Sequence, residues 1–396
     1  MALQSQVNVT IAYGIEGTFG TPASAGGTSK YLRRVSSSLQ LSKQSFASNE
    51  VRTDLEISDL RHGMKSVSGS IEGELALGAW DDFIEAAMGG TWAAGATKAG
   101  TDSVTTQTNS ITRGTGSWIT DGFKIGDVVR FTGLSDAGNN SKNLTVTNLS
   151  ATVMTVAETL VVNAVGDTSW NCTVPGYKLT TGTTQRSFTI EQNYPQIDIS
   201  ERYDGVRIGG MKLNVTPGGM ATVGFDVMGK DGSILSSASA PYFTAPTAAS
   251  VTAVASGPNG TVRFAGATSA VVTAIDISLN NSLSDAPVVG TNVTPNIFYG
   301  KRQITGNISV YLEDQTMLNN FINESEIDLV MKLNTTSTAP EDFFSFAINR
   351  LKLSGISKSV AADGGVVASF PFQALLKTGG AGTAYDQTSL LIQRSI

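Results

Sequence analysis

Near neutral pH the two most versatile reactive side chains in this 396-residue chain are single copies, His62 and Cys172. One histidine and one cysteine cannot build the usual His/Cys zinc site, and one cysteine excludes any intrachain disulfide. His62 lies in SDLRHGMK with no serine or cysteine motif matched to it, and no G-x-S-x-G occurs. Cys172, in WNCTV, has no basic neighbour to lower its pKa and reads as a small buried hydrophobe. Asp81 and Asp82 are adjacent carboxylates on a helical stretch, so they diverge and suit shared acid–base work poorly. Gly379-Gly380-Ala381-Gly382 lacks the strand-to-helix context of a phosphate loop, and no Asp/Glu spacing matches a calcium loop. Neither an enzyme nor a metal or cofactor protein is indicated. The formal charge of −6 disfavours gripping nucleic acid through its phosphates, yet it suits a surface that nucleic acid must slide past.

What remains is non-covalent chemistry of strand faces, edges and loops. Charged residues are only 15%, glycines number 42, and the Ser/Thr/Val/Ala texture shows few long helical periods, so the chain is expected to be mainly β. Its organising stretch is residues 65–88, KSVSGSIEGELALGAWDDFIEAAM. Val67, Ile71 and Leu75 point one way with Gly69 and Gly73 between them, while Ser66, Ser68, Ser70, Glu72 and Glu74 point the other, as in a half-buried strand. Trp80, Phe83, Ile84, Ala87 and Met88 then share one helical face, and Gly89-Gly90 stops the helix. No apolar run is long enough to span a bilayer and MALQSQVNVT lacks a signal pattern, so no membrane insertion and synthesis in the cytoplasm are expected.

Along the chain, 1–30 reads as an extended arm, and 43–62 as a long polar loop between two strands. Residues 92–180 hold short alternating segments separated by turn clusters such as DAGNNSK, which reads as a small inserted all-β domain. Residues 233–262 have linker composition, and 378–396 form a Gly-rich tail. The second half repeats the first. Residues 67–71 match 304–308 and 80–84 match 318–322 at nearly one offset. Residues 208–213 then match 348–353 at an offset smaller by about one small domain, which coincides with 92–180. The expected division is a discontinuous first domain (31–91 and 181–232), the insert, the linker, and a second domain at 263–377.

These residues resemble the major tail tube proteins of long-tailed, siphovirus-type bacteriophages. The resemblance rests on SNEVRTDLEISDLRHGMKSVSGSIEGELALGAWDDFIEAAMGGTW (48–92), FTIEQNY (188–194), DGVRIGGMKLNVTPGGMATVGFDVMGKDG (204–232) and ISLNNSL (277–283). It implies two tandem β-sandwich or barrel tube domains, each with a short flanking helix, plus the inserted all-β domain. It further implies a virion tail protein whose subunits form rings that stack into a hollow tube for DNA ejection. Tape measure, tail tip and terminator proteins would be its partners, and passing DNA would be bound only weakly. With two repeats per chain, a trimer of pseudo-sixfold symmetry is the favoured ring and a hexamer the alternative.

For such a tube, the candidate lumen residues are Ser68, Ser70, Glu72 and Glu74 in the first repeat, with Gln303, Thr305, Asn307 and Ser309 in the second. Carboxylates facing a polyanion repel it and prevent sticking. The loop 43–62, with Arg52, Asp54, Glu56, Asp59 and Arg61, is the candidate contact between rings, joined by 282–301, the arm and the tail. The competing reading is an adhesive or carbohydrate-binding β-protein.

Overall fold

The computed structural model describes residues 3–269, 271–336, 338–359 and 364–396. The elements that position the site are β1 (Thr10–Ile15), β2 (Ser29–Tyr31), β3 (Gln40–Ala47), β4 (Leu60–Glu74), α1 (Asp81–Met88), β5 (Tyr177–Thr180), β6 (Phe188–Tyr194) and β7 (Ile199–Val215). They continue with β8 (Thr222–Gly229), β9 (Val272–Asn280), β10 (Gln303–Tyr311), α2 (Thr316–Ile322), β11 (Ile327–Asn334), β12 (Phe343–Leu353), β13 (Val367–Ala374) and β14 (Leu391–Arg394). Shorter strands are given by residue range. Strand accounts for 48% and helix for 7%, so the chain is mainly β.

Eight antiparallel strands form one continuous sheet in the order β3-β4-β8-β7-β9-β10-β13-β12. The order β3-β4-β8-β7 is repeated as β9-β10-β13-β12, with α1 and α2 following β4 and β10 in the same place. β7 and β12 are long because each leaves this sheet and continues into a second layer. In both, a register shift marks the departure, between Ile208 and Gly210 in β7 and opposite Ile327 and Leu329 in β12. An extra residue bends and twists a strand there. The second layer is β2-β1-β6-β7 on one side and β11-β12-β14-β5 on the other.

The core lies between the layers, and it is one hydrophobic cluster running through both repeats, from Ile11 to Ile392. α1 fills it in the first repeat. Trp80 stacks on Phe225, and Phe83 stacks on Phe188 and meets Tyr13 edge-on. Trp80 also explains a glycine: a Cβ on Gly73 would lie 2.3 Å from its ring. The indole Nε1 donates to Glu74 O at 2.9 Å, locking strand to helix. Trp80→Ala removes this fully buried ring and its hydrogen bond, so it should cost about 3–5 kcal/mol in chemical denaturation with the fold retained.

Several expectations change. The stretch 1–30 is not a free arm, because β1 pairs with β6 and β2 and buries Ile11, Ala12 and Tyr13. The loop 43–62 is strand at both ends: Ser45 pairs with His62 and Ala47 with Leu60, which leaves 48–59 as the tip of a projecting hairpin. Polar, two-sided exposure hid these strands, since no face is buried to set an alternation. Residues 378–396 are not a tail. β14 lies between β5 and β12, with Leu391, Ile392 and Gln393 buried. α2 keeps the place of α1 but buries no residue among those described, and Ile322 is 72% exposed. In the first repeat β1 brings Tyr13 over Phe83, whereas α2 passes to β11 through a few residues.

The inserted strands, from Thr97–Gly100 to Trp170–Thr173, form a separate eight-stranded sheet around its own core of Trp118, Phe123, Phe131 and Trp170. Residues 93–94 and 177–180, within the expected insert, instead pair with each other, and β5 joins the body sheet through β14. Although it leaves the first repeat, the insert docks on the second. Lys332 Nζ meets Glu158 Oε1 at 2.7 Å, Asn349 donates to Ile125 O at 3.1 Å, and Gln393 exchanges hydrogen bonds with Val128 N and O. Lys332, Asn349 and Gln393 point away from the hydrophobic core, so the insert covers the outside of the second layer. Cys172 is buried in the insert, where burial pushes its thiol well up and keeps it unreactive.

Candidate functional site

With the core on one side, the opposite face of the eight-stranded sheet is mainly polar, interrupted by Met228, Ala274 and Pro371. Ser68, Ser70, Glu72 and Glu74 lie on it, opposite Met228, Asp226, Gly224 and Thr222 of β8. Gln303, Thr305, Asn307 and Ser309 lie on the same face, opposite Asn280, Ser278 and Asp276 of β9 for the first three and Ala274 for the fourth. Alternation does this: Val67 and Ile71, and Ile304 and Ile308, are buried beneath them. Sequence reasoning thus named two strands of the face and missed the rest. Lys212 and Asn214 of β7 join the repeats across it, pairing with Ser278 and Asp276. The signal was present in the alternation of GFDVMG and IDISLN, which marks Asp226 and Asp276 as outward.

The face is hydrogen-bonded along its surface. Ser369 Oγ donates to Asn307 Oδ1 at 2.6 Å, Ser42 and Ser66 hydroxyls lie 2.9 Å apart, and Lys212 Nζ meets Asp226 Oδ2 at 2.8 Å. Carboxylates at 72, 74, 226 and 276 outnumber the lysines at 212 and 352, leaving the face net negative. Asp276 places one of these carboxylates in the second repeat, where the sequence reading found none on β10.

The two ends of this sheet have unpaired edges. β3 pairs only with β4 among the described residues, and its outer side is exposed. At the other end, β12 pairs with β13 through Leu353, and with β11 only as far as Leu351. Beyond the β3–β4 hairpin, the tip 48–59 pairs its charges within itself and with Arg61 at the start of β4. Arg52 and Asp54 pair at 2.7 Å, Arg61 and Asp59 at 2.6 Å, and Glu56 donates its backbone N–H to Asp54. Hydrogen bonding to Arg52 holds the exposed Asp54 carboxyl below its usual range. What the tip presents outward is apolar: Val51, Leu55 and Ile57 are 100%, 93% and 73% exposed. The sequence reading chose the charges and missed these three, whose interleaving with charges masked them. The matching loop 282–301 carries a short ladder (Ser284–Asp285 with Ile297–Phe298) and folds back, its Asn292 O accepting from Lys65 N at 2.8 Å.

Residues considered for catalysis are apart and structurally engaged. Asp81 pairs with Arg394 at 2.8 Å, while Asp82 accepts from Lys30 and from Tyr13, so the two carboxylates serve different elements. Burial pushes Asp81 up, and burial together with Asp82 pushes the Tyr13 hydroxyl up. His62 is exposed on the hairpin. Among the described residues no group of His, Cys, Asp or Glu is placed to hold a metal ion, and no helix is long and apolar enough to cross a membrane.

A sandwich with one sheet bare on a polar face, unpaired at its outer edges and extended by an apolar-tipped hairpin is a structural protein built to assemble with its own kind. Residues 6–374 match the family model of the phage tail tube proteins, and the chain belongs to that family, a component of the virion tail. A search of curated proteins finds no match.

Proposed function

We propose that this chain forms rings that stack into the hollow tail tube, with the polar sheet face lining the channel through which DNA is ejected. The observation that supports this reading is the eight-stranded sheet, whose internal junction between two repeats offers a pattern for adding one unit to the next. There β9 lies along β7, with Met211 opposite Leu279 and Leu213 opposite Ile277. The matching residues at the free ends are Leu351 and Leu353 of β12, and Leu41 of β3 with Leu39 just before it. Adding β3 of one subunit to β12 of the next repeats the internal junction, pairs both exposed edges and closes a ring.

Two repeats per chain favour a trimer with pseudo-sixfold symmetry. A hexamer of whole chains would double the repeats around the channel. On this reading the chain divides into two tandem tube domains joined by 233–262, which is not the expected surface linker, since 231–236 pairs with β7, 260–264 pairs with β11, and Phe243 and Ala255 are buried. The insert sits outside the tube, since it covers the layer opposite the polar face. The hairpin tip 48–59, with its exposed Val51, Leu55 and Ile57, contacts the adjacent ring. Tape measure, tail tip and terminator proteins bind at the tube's interior and ends.

Negative-stain microscopy of the purified protein tests the reading. Tubes or rings support it, whereas discrete monomers with glycan affinity would favour an adhesive protein. The lumen assignment has its own test. Glu72→Lys with Glu74→Lys reverses two charges on the face, so genome ejection from assembled particles should slow, and slow further at low salt. Ejection at the unaltered rate would place these residues outside the channel.

A further inference from the structure

We propose that Lys178 and Asp127 react to form an amide cross-link that bonds the insert covalently to the body of the protein, with Asp386 as proton carrier. The three side chains come from three segments. Asp127 closes a turn of the insert, Lys178 lies on β5 in the body sheet, and Asp386 precedes β14. Lys178 Nζ is 2.5 Å from Asp127 Oδ1 and 2.8 Å from Asp386 Oδ2, and the side chains are 13%, 0% and 20% exposed in that order. Asp127 Oδ1 and Asp386 Oδ2 are both buried, and among the described residues the Lys178 amine is the one group that meets them. The other Asp127 oxygen accepts from Lys124 N at 2.9 Å, which fixes the carboxyl in place beside the amine.

An amine held in contact with a carboxyl in a largely buried site has two requirements for direct amide formation, proximity and reduced access of water. Val128, the residue after Asp127, is fully buried. The reaction needs a neutral amine and a protonated carboxyl. Burial pushes the Asp127 carboxyl up, opposed by the Lys178 charge and reinforced by Asp386. Burial pulls Lys178 down, but its two carboxylates outweigh that and hold it as ammonium, so it becomes nucleophilic by passing a proton to Asp386.

The Lys178 nitrogen lone pair then attacks Asp127 Cγ and the Nζ–Cγ bond forms. Asp386 accepts the remaining amine proton after delivering its own to the departing hydroxyl, the Cγ–O bond breaks, and one water leaves. Nothing is oxidised or reduced. The product ties the turn at 124–127, in the middle of the insert, to β5, so a pull on that part of the insert is carried by covalent bonds into the sheet.

The test is the mass of the full chain under denaturing conditions. The unaltered protein should weigh one water less than its sequence, and a protease digest should contain a branched peptide joining Asp127 to Lys178. Lys178→Arg and Asp127→Ala should each restore the full mass. Asp386→Asn should restore it too, with an unchanged circular-dichroism spectrum. The readout on the unaltered chain does not depend on whether a variant folds. Full mass in the unaltered protein overturns the cross-link, and a missing water in Asp386→Asn overturns the proton-carrier role.

Discussion

Replacing residues 48–59 with an Asn-Gly turn should leave rings that do not lengthen into tubes. The deletion is local: Ala47 already pairs with Leu60, so a two-residue turn closes the hairpin where its ladder ends. Nothing in the core is lost, because residues 49–59 are all exposed; the Arg52–Asp54 pair goes with the tip, and Arg61 of β4 loses only its exposed partner Asp59. Exposed ion pairs contribute only about 0–1 kcal/mol, so the melting temperature should stay nearly unchanged. Assembly should change greatly, since the deletion removes Val51, Leu55 and Ile57 together, and a few apolar anchors carry most of the energy of an interface. Electron microscopy reads the result directly. Tubes of normal length would refute a stacking role. Loss of rings as well as tubes would show that the tip acts sideways, as the matching loop does where Asn292 reaches Lys65.

Oxidising a Gln40→Cys, Lys352→Cys double variant should produce a covalent ladder that ends at three subunits. These positions correspond to Ser278 and Lys212, which pair across the internal junction. Directly opposed residues of antiparallel strands have Cα atoms about 4.5–5.5 Å apart, within the reach of a disulfide. Both side chains lie on the polar face, so the substitutions leave the core alone, and the buried Cys172 does not compete. Each single variant should remain monomeric in denaturing gels. A ladder ending at six would give the hexamer, and tubes that show no cross-link at all would overturn the β3–β12 junction.

Much of the fold was legible because it rests on short-range periodicity. The alternation of Val67, Ile71 and Leu75 and the helical spacing of Trp80, Phe83, Ile84, Ala87 and Met88 follow from backbone geometry, which one stretch of chain displays in full. The insert was legible through a shift of texture. Where one face is not buried, the pattern failed. β3 and the outer half of β4 are exposed on both faces and read as loop. β1 and β14 fail for the opposite reason: they are short and buried on both faces, so they show no alternation either and read as an arm and a tail.

The candidate site divides the same way. The sequence by itself determined that this is a β-rich chain, and that its long strands carry serine, threonine and carboxylate side chains on one side. Those properties depend on residue type and on the two-residue period alone. Only the tertiary structure decided that eight such sides join into one uncovered face, that the face ends in two unpaired edges, and that the insert of one repeat rests on the other. Lys178, Asp127 and Asp386 likewise meet only there, because strand order and the contacts of distant segments depend on packing the whole chain around one core.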